Sequence, residues 1–400
     1  MNNALHFDHL LSDDLQRFIK DHEKDDEKIL VLKHKEILGL PAAEIAQQIV
    51  GRRKAKTKLP VYYNTNKIIY PPKVNLEQCS SEKTAQFKAS LLSGNLAADL
   101  TGGFGIDSFF LSKNFKKVIH VEPDEALSQI TKHNHRTLDA NNIEHQCGTA
   151  ESFINTHKDH FDLLYIDPSR RSNANRKVFK FSDCGPNVVN LLPLLIEKSN
   201  SILIKASPLI DIKQGLSELD SVSKVLIVGF DNECKEVLFL IANTKKEAVI
   251  EVFDLSEDDK KSASFSFTLS EEHQSKVSFD EPSTFLYEPT AMMLKAGAFK
   301  LTANKFNLKK IAPNTHLYTA DKMISNFPGR VFKIESFLKS DSKSVHEVLE
   351  EGQANIISRN YPLSPSQLKK KLKLKDGGDQ FVIGFSGRNK KYLVLASRVK

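Results

Sequence analysis

Apolar residues recur every three or four positions over the first 90 residues, as they do along one face of an amphipathic helix. The predicted helices cover residues 13–20, 28–38 and 41–51. Apolar and aromatic residues at 62–63 and 68–70 predict a short hairpin before two consecutive prolines. We therefore expect residues 1–90 to form a helical accessory module that packs on the part of the chain that follows.

Short apolar runs alternate with helix-length amphipathic stretches across residues 91–255. The predicted strands cover residues 96–100, 117–121, 143–147, 161–166, 201–205, 222–230 and 236–242. The predicted helices cover residues 106–113, 125–140, 186–197 and 208–219. This alternation predicts a mostly parallel sheet with helices on both faces. The last two strands are too close in sequence for a parallel crossover, so we expect an antiparallel hairpin to complete a seven-stranded sheet.

The polar segment 256–280 predicts a linker or an exposed edge hairpin, and it marks a domain boundary. The strands predicted beyond it cover residues 332–337, 355–358, 380–385 and 392–396. The helices predicted beyond it cover residues 288–298, 344–351 and 364–373. These elements indicate a small α+β domain at the C-terminal end.

The composition is that of a globular protein with two or three domains. The 400 residues are 40% hydrophobic and 27% charged, which excludes a disordered chain, a collagen or a coiled coil. No apolar stretch approaches the roughly 18 residues of a membrane helix, and the first residues are acidic where a secretory signal is basic and apolar. We therefore expect a cytoplasmic protein.

The cysteines and histidines show no pattern that is typical of a metal site. The four cysteines contain no pair spaced by two residues, so we expect them to be reduced and buried rather than to bind zinc or form a redox pair. His133 and His135 are two residues apart and point to different faces of a helix. We interpret the 13 histidines as solvated surface residues and expect no metal.

Positive charge is concentrated near both ends of the chain. Residues 368–400 contain ten Lys or Arg against two Asp, whereas the whole chain has a net charge of +7. A second basic cluster covers residues 51–58. Such clusters favour a polyanionic partner, most simply nucleic acid, because neutralising phosphates releases counterions. The alternative is a solvated face that only increases solubility.

The strongest chemical signal is a glycine-rich turn between the first strand and helix of the sheet. Asp99 opens the turn and Gly102, Gly103 and Gly105 follow. The position five residues after Gly103 is a serine, so the dinucleotide-binding fingerprint is not met, and no phosphate-binding loop is present. A carboxylate here would repel a pyrophosphate but suits a ligand that carries an ammonium or sulfonium group.

Further candidate residues follow the next three strands. Glu122 ends the second strand, where a carboxylate accepts the hydroxyls of a ribose. Thr149 and Ala150 follow the third strand, beside the position that an adenine would take. The fourth strand runs into Asp167, Pro168, Ser169, Arg170 and Arg171. The carboxyl ends of parallel strands meet at one sheet edge, so we expect these residues to form one site.

These four motifs, in this order, resemble those of the class I S-adenosylmethionine-dependent methyltransferases. The run 167–171 and several C-terminal segments are similar, more narrowly, to the bacterial THUMP-like-domain methyltransferases. Those segments are residues 287–289, 294–299, 313–318, 327–330 and 373–378. The resemblance implies an α/β fold with a Rossmann-like methyltransferase domain at 91–255, a ferredoxin-like module at 281–330 and a THUMP-like module at 331–400. THUMP-like modules are associated with RNA, mostly tRNA.

The resemblance also assigns roles to individual residues. It implies that Asp167 and Pro168 are catalytic and face the methyl acceptor, and that Ser169, Arg170 and Arg171 bind the substrate. The residues that it places around S-adenosylmethionine are Asp99, Thr101, Gly102, Gly103, Gly105, Glu122 and Ala150. The chain departs from enzymes that methylate nucleobase amino groups, because Ser169 and Arg170 stand where those have a second proline and an aromatic residue.

The sequence leaves several alternatives open. Arg170, Arg171 and Arg176 could clamp a substrate phosphate, or they could form a solvated or ion-paired loop. Phe179 and Phe181 could stack on a base, although core packing is favoured. The methyl acceptor could be a base nitrogen of RNA, a small metabolite or a protein side chain. The chain could also be an RNA-binding protein without catalysis, and its oligomeric state stays open.

Overall fold

The chain divides into two compact units in the computed structural model, which describes residues 7–170, 180–242, 246–256, 264–349 and 351–400. The first unit is formed by Met1–Val225 and Glu236–Lys246. The second unit is formed by Leu226–Lys235 and Glu247–Lys400. Within the described ranges, no helix has the length and apolar character that crossing a membrane requires.

The first unit begins with short helices, as the apolar periodicity predicts. They are α1 (Phe7–Leu10), α2 (Asp13–Asp21), α3 (Glu27–Lys33), α4 (Ala42–Lys58), α5 (Pro60–Asn64), α6 (Lys73–Gln78) and α7 (Glu82–Ser90). A two-stranded antiparallel ribbon of β1 (Glu36–Ile37) and β2 (Leu40–Pro41) connects α3 to α4. The side chains of Leu15, Ile19, Ile45 and Ile49 face the interior and are at most 4% exposed.

The hairpin predicted near residues 62–70 is wrong. Tyr62 belongs to α5, which Pro60 starts because proline is preorganised for the first helical turn. Ile69 is extended but pairs with no strand. Its backbone N–H donates to Oδ1 of Asn134 at 2.9 Å, and Nδ2 of Asn134 donates to its carbonyl at 2.8 Å. A side-chain amide thus satisfies the backbone groups that a partner strand would otherwise satisfy.

The rest of the first unit alternates strands and helices. The strands are β3 (Gly94–Asp99), β4 (Phe115–Glu122), β5 (Ile143–Cys147), β6 (Leu163–Ile166), β7 (Ser169–Arg170), β8 (Cys184–Gly185), β9 (Ser201–Ala206), β10 (Val222–Phe230) and β11 (Glu233–Ala242). The helices are α8 (Ile106–Leu111), α9 (Glu125–Thr137), α10 (Ala150–Thr156), α11 (Val188–Lys198) and α12 (Ile212–Glu218). The final residues of β10 and the first residues of β11 belong to the second unit.

The sheet has the predicted antiparallel hairpin. It has nine strands in the order β13-β12-β10-β11-β9-β6-β3-β4-β5, where β12 is Val249–Asp254 and β13 is Phe265–Thr268, with parallel pairing from β9 to β5. β11 pairs antiparallel with β9. Asp231 and Asn232 connect β10 to β11 with φ angles of 54° and 55°, the left-handed conformation of a two-residue hairpin turn. The α/β class and the seven predicted strands are therefore confirmed, but the sheet has two further strands, and α10 was not predicted.

The second unit contains a seven-stranded sheet and short helices. Its elements are β12 (Val249–Asp254), β13 (Phe265–Thr268), α13 (Leu269–Gln274), β14 (Phe285–Pro289), α14 (Ala291–Ala296), α15 (Phe299–Lys305), β15 (Lys309–Ala312), β16 (Thr315–Ala320), β17 (Gly329–Phe337), α16 (Ser342–His346), β18 (Asn355–Arg359), α17 (Pro365–Leu372), β19 (Gln380–Ser386) and β20 (Lys391–Arg398). The sheet order is β15-β16-β14-β17-β20-β19-β18, and among these pairs β18 and β19 are parallel. Leu286, Phe332, Ile383 and Val394 form part of its core. The helix predicted at 288–298 is shorter because β14 occupies residues 285–289.

Three histidines are buried in the first unit, so the interpretation of all histidines as surface residues is wrong. His120 and His135 are fully buried, and His145 is partly buried beside them. Nδ1 of His135 lies 3.0 Å from Nε2 of His145, and Nε2 of His135 lies 2.9 Å from the carbonyl oxygen of Gly105. His133, on another face of α9, is only half-buried. The two-residue spacing separated the faces correctly, but one of those faces packs inward.

The cysteines and the N-terminal basic cluster also differ from expectation. All four cysteines are free, but only Cys184 is buried and Cys147 is exposed. Three basic side chains of α4 are paired with acids of the same unit. Arg52 lies 3.1 Å from Glu23, Arg53 lies 2.5 Å from Glu27, and Lys54 pairs with Glu77. Much of this cluster is therefore neutralised within the protein, which removes the main reason to expect a polyanion there.

The buried histidine cluster should make the protein less stable in acid. Burial, together with the neighbouring His145, lowers the pKa of His135 from 6.5 to about 3. The unfolded chain therefore binds a proton below pH 6.5 that the folded chain excludes, and stability falls as the pH is lowered. We expect His135 alone to reduce the free energy of unfolding by about 2 kcal/mol between pH 7 and pH 5.

Urea denaturation at both pH values measures this effect. His135→Gln should flatten the dependence on pH, whereas His133→Gln on the same helix should leave it as in the parent protein. Equal pH dependence in the parent protein and in His135→Gln would contradict the assignment.

Candidate active site

The glycine-rich turn continues the hydrogen bonding of the sheet beyond the end of β3. The N–H of Leu100 donates to the carbonyl of Tyr165 at 2.9 Å, and the N–H of Gly102 donates to the carbonyl of Val121 at 2.8 Å. The turn is therefore held between the carboxyl ends of β6 and β4. This position is where open α/β sheets bind their ligands.

The three glycines of the turn serve different purposes. A Cβ atom at Gly102 would lie 2.1 Å from Cε1 of His120, so the buried imidazole requires a glycine there. Gly105 has a φ of +75°, and a Cβ atom on it would lie 2.3 Å from Cγ2 of Thr131. Gly103 has a φ of +53°, but the nearest neighbour of a Cβ atom on it would be the carbonyl oxygen of Thr101, 3.8 Å away. Gly103 is thus the glycine whose open side a ligand can approach.

Asp99 lies beneath the turn rather than at its surface. Its side chain is 1% exposed, and its two oxygens accept hydrogen bonds from the N–H of Thr101 at 3.1 Å and the hydroxyl of Ser108 at 2.7 Å. Burial, with the nearby carboxylate of Asp107, raises the pKa of Asp99 to about 7. Asp99 therefore shapes the turn from below, and a direct contact with a ligand stays a prediction.

Glu122 connects the turn to the end of β4. Oε2 accepts the N–H of Gly103 at 2.8 Å, and Oε1 accepts the N–H of Asp124 at 2.9 Å. Burial raises the pKa of Glu122 above its ordinary value despite these two donors. Each carboxylate oxygen can accept a second hydrogen bond, so Glu122 can still receive two hydroxyl groups. The predicted contact between Glu122 and a ribose stays a prediction.

Ala150 begins α10 near Glu122. The N–H of Gly148 donates to the carbonyl of Glu122 at 3.1 Å, which holds the start of α10 against the end of β4. Thr149 caps the helix by accepting the N–H of Ser152 at 3.1 Å. Ala150 itself is 4% exposed. A contact between Ala150 and an adenine stays a prediction.

Thr101 connects the glycine turn to Asp167 after β6. The backbone N–H of Asp167 donates to Oγ1 of Thr101 at 2.7 Å. The structure therefore brings Thr101, Gly103, Glu122 and Asp167 together through direct hydrogen bonds. Their sequence separation reaches 66 residues, and the sheet order places them at one edge.

Lys205 of β9 is a site residue that the sequence analysis missed. Its ammonium lies 2.5 Å from Oδ2 of Asp167. Burial alone would lower the pKa of Lys205, but the carboxylates of Asp167, Glu236 and Asp107 outweigh it and hold that pKa above its usual range. Lys205 therefore remains a cation, and it holds Oδ2 of Asp167 in place. A single lysine inside an apolar strand was the available signal.

A second buried lysine, Lys88 of α7, was also missed. Its ammonium lies 2.9 Å from Oδ1 of Asp107 and 2.8 Å from Oε2 of Glu236. Oγ of Ser80 accepts from Lys88 at 2.7 Å and from Lys205 at 3.3 Å, and it donates to Asp107 at 2.7 Å. The N-terminal helices therefore contribute buried charge directly beside the Asp167–Lys205 pair.

The remaining predicted residues lie differently. Pro168 is buried directly after Asp167. Ser169 is exposed, and its hydroxyl donates to the carbonyl of Gly185 at 3.5 Å as β7 pairs with β8. Arg171, Arg176, Phe179 and the side chain of Arg170 lie outside the described residues.

The structure describes two further features that the sequence analysis considered. Phe181 is fully buried, and its ring packs edge-on against Phe239 with centroids 5.3 Å apart, which agrees with the favoured core interpretation. The part of the chain that the structure describes contains no cluster of His, Cys, Asp or Glu suited to a metal ion.

The fold and the position of the candidate site indicate the class of protein. The strand order, the antiparallel hairpin and the glycine turn are those of the class I methyltransferase fold. Family models match a ferredoxin-like domain at residues 285–328 and a THUMP-like domain at residues 329–398. The chain therefore combines a class I methyltransferase fold with these two C-terminal domains.

Solved structures support the same description. A protein of Porphyromonas gingivalis W83 designated "putative methyltransferase" matches 97% of this chain and 98% of its own, with a TM-score of 0.85 and 29% identity. The resemblance to the THUMP-like-domain methyltransferases is thereby confirmed. No curated protein sequence matches the chain.

Two shorter structures each match about two fifths of the chain. A Streptococcus mutans protein in complex with SAH covers 40% of this chain and 96% of its own, with 18% identity and a TM-score of 0.31. TrmK of M. capricolum, in complex with S-adenosyl-homocysteine, covers 41% of this chain and 69% of its own, with 12% identity and a TM-score of 0.32. Scores this low carry no argument about function.

Proposed function

We propose that this protein transfers a methyl group from S-adenosylmethionine to a nitrogen of an RNA base, with tRNA as the favoured substrate. The observation that carries the proposal is the hydrogen bond between Gly103 and Glu122. It places a carboxylate with free acceptor capacity beside the open glycine, on the same sheet edge as Asp167. The designation of the Porphyromonas gingivalis protein supports methyl transfer as the reaction.

The residues present fit S-adenosylmethionine. Glu122 would accept the ribose hydroxyls, Gly103 would admit the ligand to the backbone, and Ala150 would border the adenine. Thr101 stands between these residues and Asp167. When bound, the cofactor supplies a methyl group on a positively charged sulfur, an electrophile that needs no metal.

Asp167 would orient the methyl acceptor. Its oxygen Oδ1 and the carbonyl of Pro168 would accept hydrogen bonds from the N–H groups of an exocyclic amine. Holding those N–H groups directs the nitrogen lone pair, and alignment of this kind supplies much of the rate of a displacement reaction. After methylation the acceptor nitrogen would have one proton fewer, and the carboxylate of Asp167 beside it is the group that would accept that proton.

The charge beside Asp167 favours a base amine over an alkylamine. The carboxylate of Asp167 and the ammonium of Lys205 cancel each other, so an arriving acceptor meets a neutral pair. A base amine is neutral at pH 7, whereas a protein lysine arrives as an ammonium, and a neutral pair offers no net negative charge to attract it. This difference supports RNA over a protein side chain.

The C-terminal domains support the assignment of RNA. A THUMP-like domain is associated with RNA through the family resemblance, and the match covers residues 329–398. Residues 368–400 contain ten Lys or Arg against two Asp, whereas three basic side chains of α4 are paired with acids. We expect the reaction to take place in the cytoplasm.

Transfer of tritiated methyl tests the proposed function. The protein is incubated with tritiated S-adenosylmethionine and with separated RNA, protein and small-molecule fractions of a strain that lacks it. We expect label in RNA, reduced about a hundredfold or more by Asp167→Ala, the scale of a lost orienting group. Label only in another fraction would contradict RNA as the acceptor, and label in none would contradict the reaction itself.

Lys205→Gln tests whether the buried ammonium positions Asp167. Because Lys205 acts through Asp167, kcat should fall about tenfold or more while the affinity for S-adenosylmethionine stays unchanged. Lys205→Arg should restore part of the rate. Lys213→Gln, an exposed lysine on α12, is the matched control. An unchanged kcat in folded Lys205→Gln would contradict the role.

A further inference from the structure

A buried carboxylate in the second unit holds two arginines. Glu288 of β14 is 4% exposed. Its Oε2 accepts from Nε and Nη2 of Arg330 at 2.8 and 2.5 Å, and its Oε1 accepts from Nε of Arg359 at 2.5 Å. We call these three residues the arginine pair and its carboxylate. The group contains two cations and one anion, so it carries an excess positive charge.

The sheet brings these residues together from distant strands. Glu288 and Arg330 are direct neighbours across β14 and β17. Arg359 ends β18, the edge strand that is four positions from β14 in the sheet order. The sheet must therefore curl until its edge meets β14. Nδ2 of Asn360 donates to Oγ1 of Thr315 on β16 at 3.1 Å along the same seam.

Both guanidinium groups are held in fixed orientations. Cζ of Arg330 lies 5.5 Å from the ring centroid of Phe332, which is 1% exposed. Nη1 of Arg359 donates to the carbonyl of Ser358 at 2.9 Å. Together with the hydrogen bonds to Glu288, these contacts fix the orientation of both planar guanidinium groups where β18 meets β14. A ligand would not need to order them on binding.

Each arginine keeps unused donors that reach solvent. Nη1 of Arg330 and Nη2 of Arg359 donate to no protein acceptor among the described residues. Neither nitrogen is among the buried polar atoms that lack a partner. The two side chains are 26% and 41% exposed, whereas Glu288 is 4% exposed. The carboxylate therefore lies inside, and the free ends of both guanidinium groups face outward.

We propose that Arg330 and Arg359 together bind one phosphate group, with Glu288 as the buried counter-ion that sets their spacing. One guanidinium already neutralises a buried carboxylate, so the second provides charge beyond what the interior needs. Planar guanidinium donors match phosphate oxygens, which accept paired hydrogen bonds. The assignment of this phosphate to an RNA backbone rests on the proposed function. The other source of the same chemistry is a small phosphate compound.

The salt dependence of RNA binding tests the proposal. Affinity for total tRNA is measured by fluorescence anisotropy from 50 to 300 mM KCl, for the parent protein and for Arg330→Gln/Arg359→Gln. Loss of one phosphate contact reduces the slope of log affinity against log salt by about 0.7 to 0.9. Because both arginines bind the same phosphate, the double variant should lose one contact and not two.

A matched control and a conservative variant keep the test decisive. The control is Lys309→Gln. Lys309 is an exposed cation on β15, the edge strand at the other end of the sheet from β18, and it is paired with Asp280. This variant should leave the salt slope unchanged. If the double variant does not fold, Arg359→Lys replaces it, since lysine keeps the charge and the pairing but not the planar fork. That variant should bind more weakly at the same slope. An unchanged slope and affinity in folded variants would overturn the proposal.

A second readout separates this proposal from the proposed function. Inorganic phosphate is titrated against chloride at equal ionic strength while the Nε–H signals of Arg330 and Arg359 are followed by nitrogen-15 NMR. Shifts caused by both RNA and phosphate support an RNA phosphate. Shifts with phosphate in a protein that binds no RNA support a small phosphate ligand, although the RNA assignment then fails. Absence of shifts with either ligand overturns the phosphate site, whereas methyl transfer to RNA would still stand.

Discussion

The ion pairs of Lys88 beneath the sheet edge constrain the whole candidate site. Lys88 is 1% exposed and lies between the carboxylates of Asp107 and Glu236, so each of these buried groups has an oppositely charged partner. Removing one partner of such a cluster leaves an uncompensated buried charge, which costs about 3 to 5 kcal/mol. Because Lys88 lies on α7 and Glu236 on β11, the cluster also joins the N-terminal helices to the far part of the sheet.

The charged residues of the candidate site are connected to this cluster by hydrogen bonds. Lys205 contacts Ser80, which is bonded to Lys88, and pairs with Asp167. Burial is the main cause of the raised pKa of Asp99, and the carboxylate of Asp107 raises it further. The N-terminal helices are thus part of the site and not only an accessory module. Their contribution explains why a carboxylate at the end of β6 can be held in one orientation.

Much of the first unit could be predicted because it depends on local patterns. Strand and helix alternation gave the sheet, and the short connection between β10 and β11 required an antiparallel hairpin. Gly103, Glu122 and Asp167 were found because each lies at or shortly after the carboxyl end of a strand. Lys88 and Lys205 were not found, because their roles depend on partners up to 148 residues away. The failed hairpin has the same origin, since the side chain of Asn134 replaces a strand from 65 residues away.

In the second unit as well, the strands could be predicted from the local sequence, whereas contacts between distant residues could not. Most strands beyond residue 329 matched their apolar runs, but nothing in the local sequence connects Glu288 with Arg359. That contact exists because the sheet curls until β18 meets β14. Strand patterns predict neither the curl nor the closure, which depend on the accumulated twist of several strands. The arginine pair and its carboxylate could therefore be found only in the structure.

The central claim is that Glu122 and the glycine turn bind S-adenosylmethionine, and calorimetric titration tests it most directly. The parent protein should bind this cofactor, and Glu122→Gln should bind it at least about 1.5 kcal/mol more weakly, the scale of a lost charge-assisted hydrogen bond. Glu125→Gln, an exposed acid in the first turn of α9, should bind as the parent does. Equal affinities of the parent and a folded Glu122→Gln, or no binding by the parent, would contradict the account.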